Sequence, residues 1–555
     1  MEKINKRIEA GVLIALMLFV TITPITIQAD PPTPNYLIQE WEKTFGGIYN
    51  DQAYSVELTN GGYIIAGFTG AASGNTDIYV VKTDENGNTI PGWPKTIGEY
   101  EYEELANCID KCYEGGYIIV GQKVKYGSDL YLIRINENGN VLWEKTFGGS
   151  GWDVGISVDQ TFDGKFIITG YTSSFIPYSM LDVWILKVSA DGREEWNVTY
   201  GHLQNNEAGL SVQETTDGGY IIAGVGRTYQ YSADSFWLIK LNASGVEQWN
   251  RTYGELNSVE KAYSVKQTED SGYIIAGEGY SRQEGATCVW LVKTNETGIE
   301  QWNKSYISFV DDYSAGRSVD ICSDGGYIIS GFSHSAMMKM NVYIIKTDEN
   351  GNVKAIGSFG GEDNDYSWAV REASPYHYIL TGYTNSTGAG MFDMYLMKVK
   401  MAPSTMIYYF NDYDSGEAWQ YYPEKMVDGN PDTYASTCST DIELCNSNTC
   451  NGNDLGPIET VHARVRAKTS GGSTIMIFRP IFGGNDGNNY PFNVQSTASW
   501  SDWIDITNDT NGPDYGNWTW DDIENLDCDI QTTALPHILM EMFCSKVEIK
   551  VEYYE

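Results

Sequence analysis

The stretch TTDGGYIIAG, residues 215–224, decides how this chain is read. Asp-Gly-Gly supplies turn residues that tolerate positive φ, and Tyr-Ile-Ile-Ala-Gly is a short unbroken apolar run, as a strand buried on both faces requires. Close copies end at Gly67, Gly121, Gly170, Gly224, Gly277, Gly331 and Gly382, so the string recurs seven times at intervals of 49 to 54 residues. A fixed period of that length indicates a propeller or a solenoid.

Each copy sits among four strand-like pieces. The second repeat reads LANCID, GGYIIVGQ, DLYLIRINENG and NVLWEKTFG, β-branched and aromatic runs separated by Gly, Asn and Asp turn signals, with no amphipathic helix between them. Four short antiparallel strands make one blade, so the chain is expected to be all-β, with a seven-bladed β-propeller over residues 36–402. The last repeat, about 362–400, has three strands, whereas YLIQEWEKTFGG at 36–47 reads as a fourth strand with no repeat before it. That N-terminal strand is expected to complete the last blade, closing the ring non-covalently and leaving no sheet edge open.

Several repeats also carry Gly followed four residues later by Trp: Gly139 and Trp143, Gly192 and Trp196, Gly245 and Trp249, Gly298 and Trp302. The setting, as in SADGREEW and NETGIEQW, resembles the tryptophan-docking motif of pyrroloquinoline-quinone-type propellers. With the leading apolar segment and GGYIIAG, the chain is similar to exported prokaryotic propeller repeat proteins. The resemblance covers roughly residues 36–400 and implies that Trp41, Trp93, Trp143, Trp196, Trp249 and Trp302 pack between adjacent blades. In the first full repeat the spacing is stretched by NTIPG to Trp93, and in the sixth Ala355 stands where Trp would be. The dehydrogenases of that family have eight blades and a vicinal cysteine pair. This sequence has seven repeats and no Cys-Cys, so the resemblance implies the blade and not the enzyme.

Acidic residues outnumber basic ones 74 to 36, for a net charge of −38, which argues against a nucleic-acid partner. Residues 1–29 combine Lys3, Lys6 and Arg7 with an apolar stretch and a small residue before Asp30, the pattern of a secretory signal peptide. The alternative is an uncleaved anchor. No comparable apolar run follows, so a protein that is extracellular or at the cell surface, without a membrane span in the mature chain, is expected. Sequons at Asn197, Asn242, Asn250, Asn295, Asn303, Asn385, Asn508 and Asn517 fit a glycoprotein. Cys438, Cys445, Cys450, Cys528 and Cys544 lie in the last quarter of the chain, where an exported domain forms disulfides; their pairing stays open.

One position before each first strand is acidic in six repeats: Asp51, Glu104, Asp153, Glu207, Glu260 and Asp365, with Ser314 in the other. Two readings stand side by side. Either these carboxylates form a ring at the channel mouth that binds a cation or a polycationic ligand, or each caps a turn in its own blade. The TDENGN and NENGN strings read as hairpin turns rather than calcium loops, because they lack the distal Glu. No catalytic constellation is evident. The five histidines lack metal-ligand spacing, and there is no nucleophile elbow or phosphate-binding loop.

After YLMKVKMAPSTM the repeat stops. Residues 403–555 contain alternating runs such as VHARVRAKT and KVEIKVEYY and are expected to form a β-sandwich domain, a jelly roll. KMVDGNPDTYAST at 425–437 resembles the DGN-x-x-T loop of discoidin-like, galactose-binding-like domains. That resemblance implies carbohydrate binding and a structural calcium, with Asp428, Asn430, Asp432 and Thr433 as candidate ligands. A non-catalytic secreted or surface binding protein for a glycan or an extracellular protein is therefore expected. The alternatives are a hydrolase or lyase acting on extracellular polysaccharide and a structural cell-envelope component.

Overall fold

The structure, a computed structural model, describes residues 35–554 except 176–179, 203–204, 227–233, 255–257, 283–284, 309–312, 335–338, 414–434, 438–441, 449–456, 471–473, 483–484, 510–517, 525 and 533–541. In the fourth repeat the strands Ala208–Glu214, Tyr220–Gly226, Ser235–Leu241 and Glu247–Tyr253 pair antiparallel in that order. They are labelled a to d here, and the other repeats follow the same plan.

The Asp-Gly-Gly turn between a and b has a double duty. Gly218 takes φ +77°, and Asp217 accepts hydrogen bonds from the Thr215 hydroxyl and the Gly219 N–H. Lys240 of strand c, only 3% exposed, reaches the same carboxylate at 3.0 Å and the Leu241 carbonyl at 3.0 Å. A buried ammonium is tolerated only with such partners. Burial alone would raise the Asp217 pKa, but the bonds from Thr215, Lys240 and Gly219 outweigh it and hold the group below the usual carboxylate range. Lys293 with Asp270 and Lys346 with Asp324 repeat the arrangement.

Strands b and c supply the core. One apolar cluster joins Ile167, Val183 and Ile185 of the third repeat to Tyr220, Ile222 and Trp237 of the fourth, so neighbouring sheets bury each other's faces. Each side chain so buried contributes about 1.5–3 kcal/mol relative to exposure.

The tryptophans of strand d fasten one repeat to the next. A Cβ on Gly139, Gly192, Gly245, Gly298 or Gly351 would collide with Trp93, Trp143, Trp196, Trp249 or Trp302 of the preceding repeat. Each of these glycines has φ between +73° and +81°, so the indole lies on the bare Cα of a tight c–d turn. Trp143, Trp196, Trp249 and Trp302 also approach the aromatic residue that opens the next strand b, as in Trp249 and Tyr273 with centroids 5.9 Å apart.

The strand Asn35–Phe45 pairs antiparallel with Asp393–Met401 and completes the sheet of the last repeat. Its Trp41 meets Gly87 of the first repeat, the role that other repeats give to their own d strands. Asn35 and Tyr36 also pair in parallel with Ala355 and Ile356, which joins the last two repeats into one eight-stranded sheet. Each a strand packs against the a strands before and after it, and the last packs against the first. The fold is an all-β propeller.

Beyond Met401 the strands Ser404–Tyr413, Ile442–Asn448, Ile458–Thr469, Thr474–Phe482, Leu526–Thr532 and Met542–Tyr553 belong to a separate, larger sheet. A single core holds Val461, Val465 and Ile549 together with Met476, Phe478 and Ile530. Tyr554 stacks on Tyr376 of the propeller at 4.2 Å, and Lys400 pairs with Glu459 at 2.5 Å. Among the described residues no helix is long and apolar enough to cross a membrane.

Candidate functional site at the channel

The innermost strands enclose a cavity of about 410 Å³ whose lining comes from all seven repeats. Strands a and b slip register by one residue at equivalent places, between Ala53 and Ser55 in the first repeat and between Ser367 and Ala369 in the last. The other five repeats carry the same bulge. A bulge turns one extra side chain toward the same side, so two successive residues of each strand reach the channel.

The second of the two is small. It is Ser55, Cys108, Ser157, Ser211, Ser264, Ser318 or Ala369. Its structural work is visible in four seams, where the hydroxyls of Ser157, Ser211, Ser264 and Ser318 accept the N–H of Val212, Val265, Val319 and Val370 in the following repeat, at 3.2–3.3 Å.

Two residues further on, a polar layer repeats the clasp with larger groups. The side chains of Asp110, Asp159, Gln213 and Asp320 accept the N–H of Gln160, Glu214, Gln267 and Glu372 from the following repeat. Arg371 closes this layer onto Glu57 at 3.0 Å. Burial raises the Asp110 and Asp159 carboxyls; the neighbouring Asp159 and Glu57 charges push Asp110 further.

The bulged residue itself breaks the symmetry. Repeats two to four place Asn107, Ile156 and Leu210 there, whereas repeats five to seven and the first place Tyr263, Arg317, Trp368 and Tyr54. Half of the wall is therefore aromatic and cationic. The Arg317 guanidinium lies 3.8 Å from the Tyr263 ring centre and 5.1 Å from that of Trp368, and pairs with Glu278 at 3.2 Å. Tyr54 meets Trp368 edge-on at 5.3 Å, and behind it Tyr366 and Tyr383 approach to 4.9 Å. This layer lies toward the end where the d–a and b–c loops meet. Those loops expose Tyr100 (88%), Tyr126 (98%) and Trp152 (54%). A groove of about 490 Å³ runs between Tyr102, Lys123, Lys125, Tyr126 and Gly151, with Lys123 4.4 Å above the Tyr102 ring.

The acidic position singled out in the sequence lies elsewhere. Asp51, Glu104, Asp153, Glu207, Glu260 and Asp365 are 0–4% exposed and are not among the residues that line the channel. Asp153 accepts from the Gly149 N–H and the Thr172 and Ser174 hydroxyls, and Asp365 likewise from Gly361, Thr384 and Ser386. Asp51 accepts the Gly47 N–H. These groups hold the loop that enters their own strand. Asp428, Asn430, Asp432 and Thr433 lie outside the described residues. Cys108, Cys112, Cys288 and Cys322 of the ring carry free thiols. Sequence reasoning missed the bulged layer; the column of small residues immediately after it marks the position but not the extra residue.

No protein-family model and no curated protein matches the chain. Among solved structures, the chain is similar to the WD40 domain of Pan2 from Neurospora crassa, at 9% identity over 66% of this chain and 97% of that one, with a TM-score of 0.40. It is also similar to the BP39L lectin of Burkholderia pseudomallei, at 9% identity over 62% and 98%, with a TM-score of 0.41. The β-propeller domain of the Trilobed protease from Pyrococcus furiosus matches at 11% identity over 64% and 96%, with a TM-score of 0.38. At these scores the likenesses assign the chain neither a ligand nor an activity.

Proposed function

We propose that the chain is an exported, seven-bladed propeller followed by a β-sandwich, acting outside the cell or at its surface as a non-catalytic binding protein for a glycan. The observation that supports this reading is the asymmetry of the bulged layer. Where the fold dictates a residue, the repeats agree, as at the docking tryptophans. At the bulge they diverge, and the divergence collects Tyr54, Tyr263, Arg317 and Trp368 on one side of the channel. Aromatic faces stack on the apolar faces of sugar rings, and loops on a rigid scaffold can carry recognition.

A glycan array probed with the full chain tests it. Binding that Trp368→Ala weakens at least tenfold, and that Ile156→Ala on the opposite wall leaves within twofold, is the expected result. Equal binding by both variants would remove the channel from the reading, and absence of any glycan signal would turn it to an extracellular protein partner. The hydrolase alternative draws on Asp110 and Asp159. Both Asp110 oxygens, however, accept backbone N–H groups, from Lys111 and Gln160, which suits a clasp better than an acid catalyst. Polysaccharide cleavage lost in Asp159→Asn would favour the enzyme.

A further inference from the structure

Each seam brings the residue before or at the start of strand a close to the start of strand c in the preceding repeat. At four seams both partners are carboxylates: Asp51 with Asp393, Glu104 with Asp77, Asp153 with Asp129 and Glu207 with Asp182. Two others set a carboxylate beside a neutral group, Glu260 with Ser235 and Asp365 with Asn341. Two buried carboxylates side by side are costly unless a donor or a cation stands between them.

In three of the four pairs a hydroxyl or basic side chain of the protein stands opposite one of the carboxylates. Asp153 takes two hydroxyls and an N–H, Glu104 faces Lys123 at 3.4 Å, and Glu207 faces His202 at 3.4 Å. The fourth pair, where the ring closes, is met among the described residues by backbone N–H groups alone. Asp51 is 0% and Asp393 2% exposed, and a Cβ on Gly46 would overlap an oxygen of each, so the two carboxylates meet over one bare Cα. Asp393 Oδ2 accepts the N–H of Ala389 at 2.8 Å and of Gly390 at 3.2 Å, and Asp51 Oδ2 that of Gly47 at 2.7 Å. Among the described residues Asp51 Oδ1 is buried with no hydrogen-bond donor, as are Oδ1 of the adjacent Asn50, Oε2 of Glu104 and both oxygens of Glu207; at Asp51, unlike Glu104 and Glu207, no basic side chain faces the carboxylate.

We propose that this closing seam binds a hard divalent cation of the calcium type between Asp51 and Asp393, with water completing its shell. Oxygen-only donors with loose geometry suit calcium better than magnesium, which demands a near-ideal octahedron. With so few protein ligands the affinity belongs to the weak, extracellular class, about 10⁻⁴–10⁻³ M. The cation ties strand Asp393–Met401 of the last repeat to the loop that leads from the closing strand into the first repeat, beside the junction that strand pairing alone closes. The site is independent of the glycan reading.

Thermal unfolding of the full chain at pH 7.5 tests it, with calcium at 10 mM against a chelator, alongside terbium luminescence excited through the protein's tyrosines. Calcium is expected to raise the midpoint by about 2 °C, a shift of the size that mass action gives for a ligand at ten times its Kd in a chain of this size. Asp393→Asn removes the repulsion. It should therefore unfold higher than the parent in chelator, yet lose both the calcium shift and the terbium signal. Asp51→Asn should do the same, which keeps the test sound if one variant fails to fold. Asp129→Asn, at a seam with its own donors, should keep the calcium response. An unchanged midpoint with calcium would overturn the proposal. So would a response kept in Asp393→Asn and lost in Asp428→Ala, which would move the ion to the C-terminal loop.

Discussion

The indole of Trp249 rests on the Cα of Gly298, a residue at φ +73° where a Cβ would lie 2.6 Å from the ring. Two costs follow for Gly298→Ala, left-handed strain of about 1–2 kcal/mol and a clash with the indole. Trp249→Ala loses contact area, about 2–3 kcal/mol, less than for a fully buried tryptophan because the ring is half-buried. The two should not add: with the indole gone the clash is gone, so the double variant should fall about 1 kcal/mol short of the sum in urea unfolding. Strict additivity would mean that the docking contact does not carry the seam. The Gly-x-x-x-Trp spacing was legible because it repeats, though not that the glycine served by each tryptophan lies one repeat further on. The sequons show the opposite case. Asn197, Asn250 and Asn303 recur because each side-chain carbonyl accepts an indole N–H, from Trp184, Trp237 and Trp290, at 3.3–3.5 Å. Asn242 and Asn295 recur because they cap the c–d turn, each accepting two backbone N–H groups. A pattern read as modification thus has a hydrogen-bonding cause of its own.

At the scale of the element, the closing strand was readable from a surplus at one end and a deficit at the other. Removing residues 1–46 takes away Trp41 and all the partners of Asp393–Met401 on that side, leaving an open edge. The truncated protein should unfold at lower urea and appear as dimers or larger species in light scattering; a monomer of parental stability would refute the role of that strand. The bulges were not legible, because residues such as AYSVE alternate like an ordinary strand and one extra residue changes no composition. Only the pairing with strand b shows that Tyr54 and Ser55 face the same way. In the C-terminal sheet register adds something else: Cys445 stands directly opposite Cys528 on neighbouring antiparallel strands. Directly opposed residues bring Cα atoms within disulfide range, so protein produced through an oxidising compartment should yield a Cys445–Cys528 crosslinked peptide on non-reducing mapping. Recovery of both as alkylated thiols would show that the strands meet without the bond.

Across the whole molecule, the net charge of −38 reads at first as solvated surface, yet part of it is folded inside. Burial raises Glu104, Asp129, Asp182, Glu207 and Asp393 above the usual carboxylate range, and a neighbouring carboxylate adds to the shift of all but Asp182. In the channel Asp159 rises to about 6 and Asp110 to about 8. A group whose folded pKa is raised contributes stability that is fully present below its unfolded value and is lost as pH rises through the folded one. Those groups therefore penalise the fold progressively between about pH 4 and pH 8. Asp163, Asp217 and Asp270 run the other way: burial would raise them, but hydroxyl and lysine hydrogen bonds hold them low, so their contribution disappears as pH falls through their depressed values. The two sets leave a maximum in mildly acidic solution. In chelator, thermal midpoints across pH 3 to 9 should peak near pH 5 and decline toward pH 8. With calcium present the decline should become shallower in the parent and stay unchanged in Asp393→Asn, because a cation beside Asp393 relieves the same repulsion that a proton on it would. A profile flat from pH 5 to pH 8 in chelator would mean that solvent reaches these seams and screens the pairs.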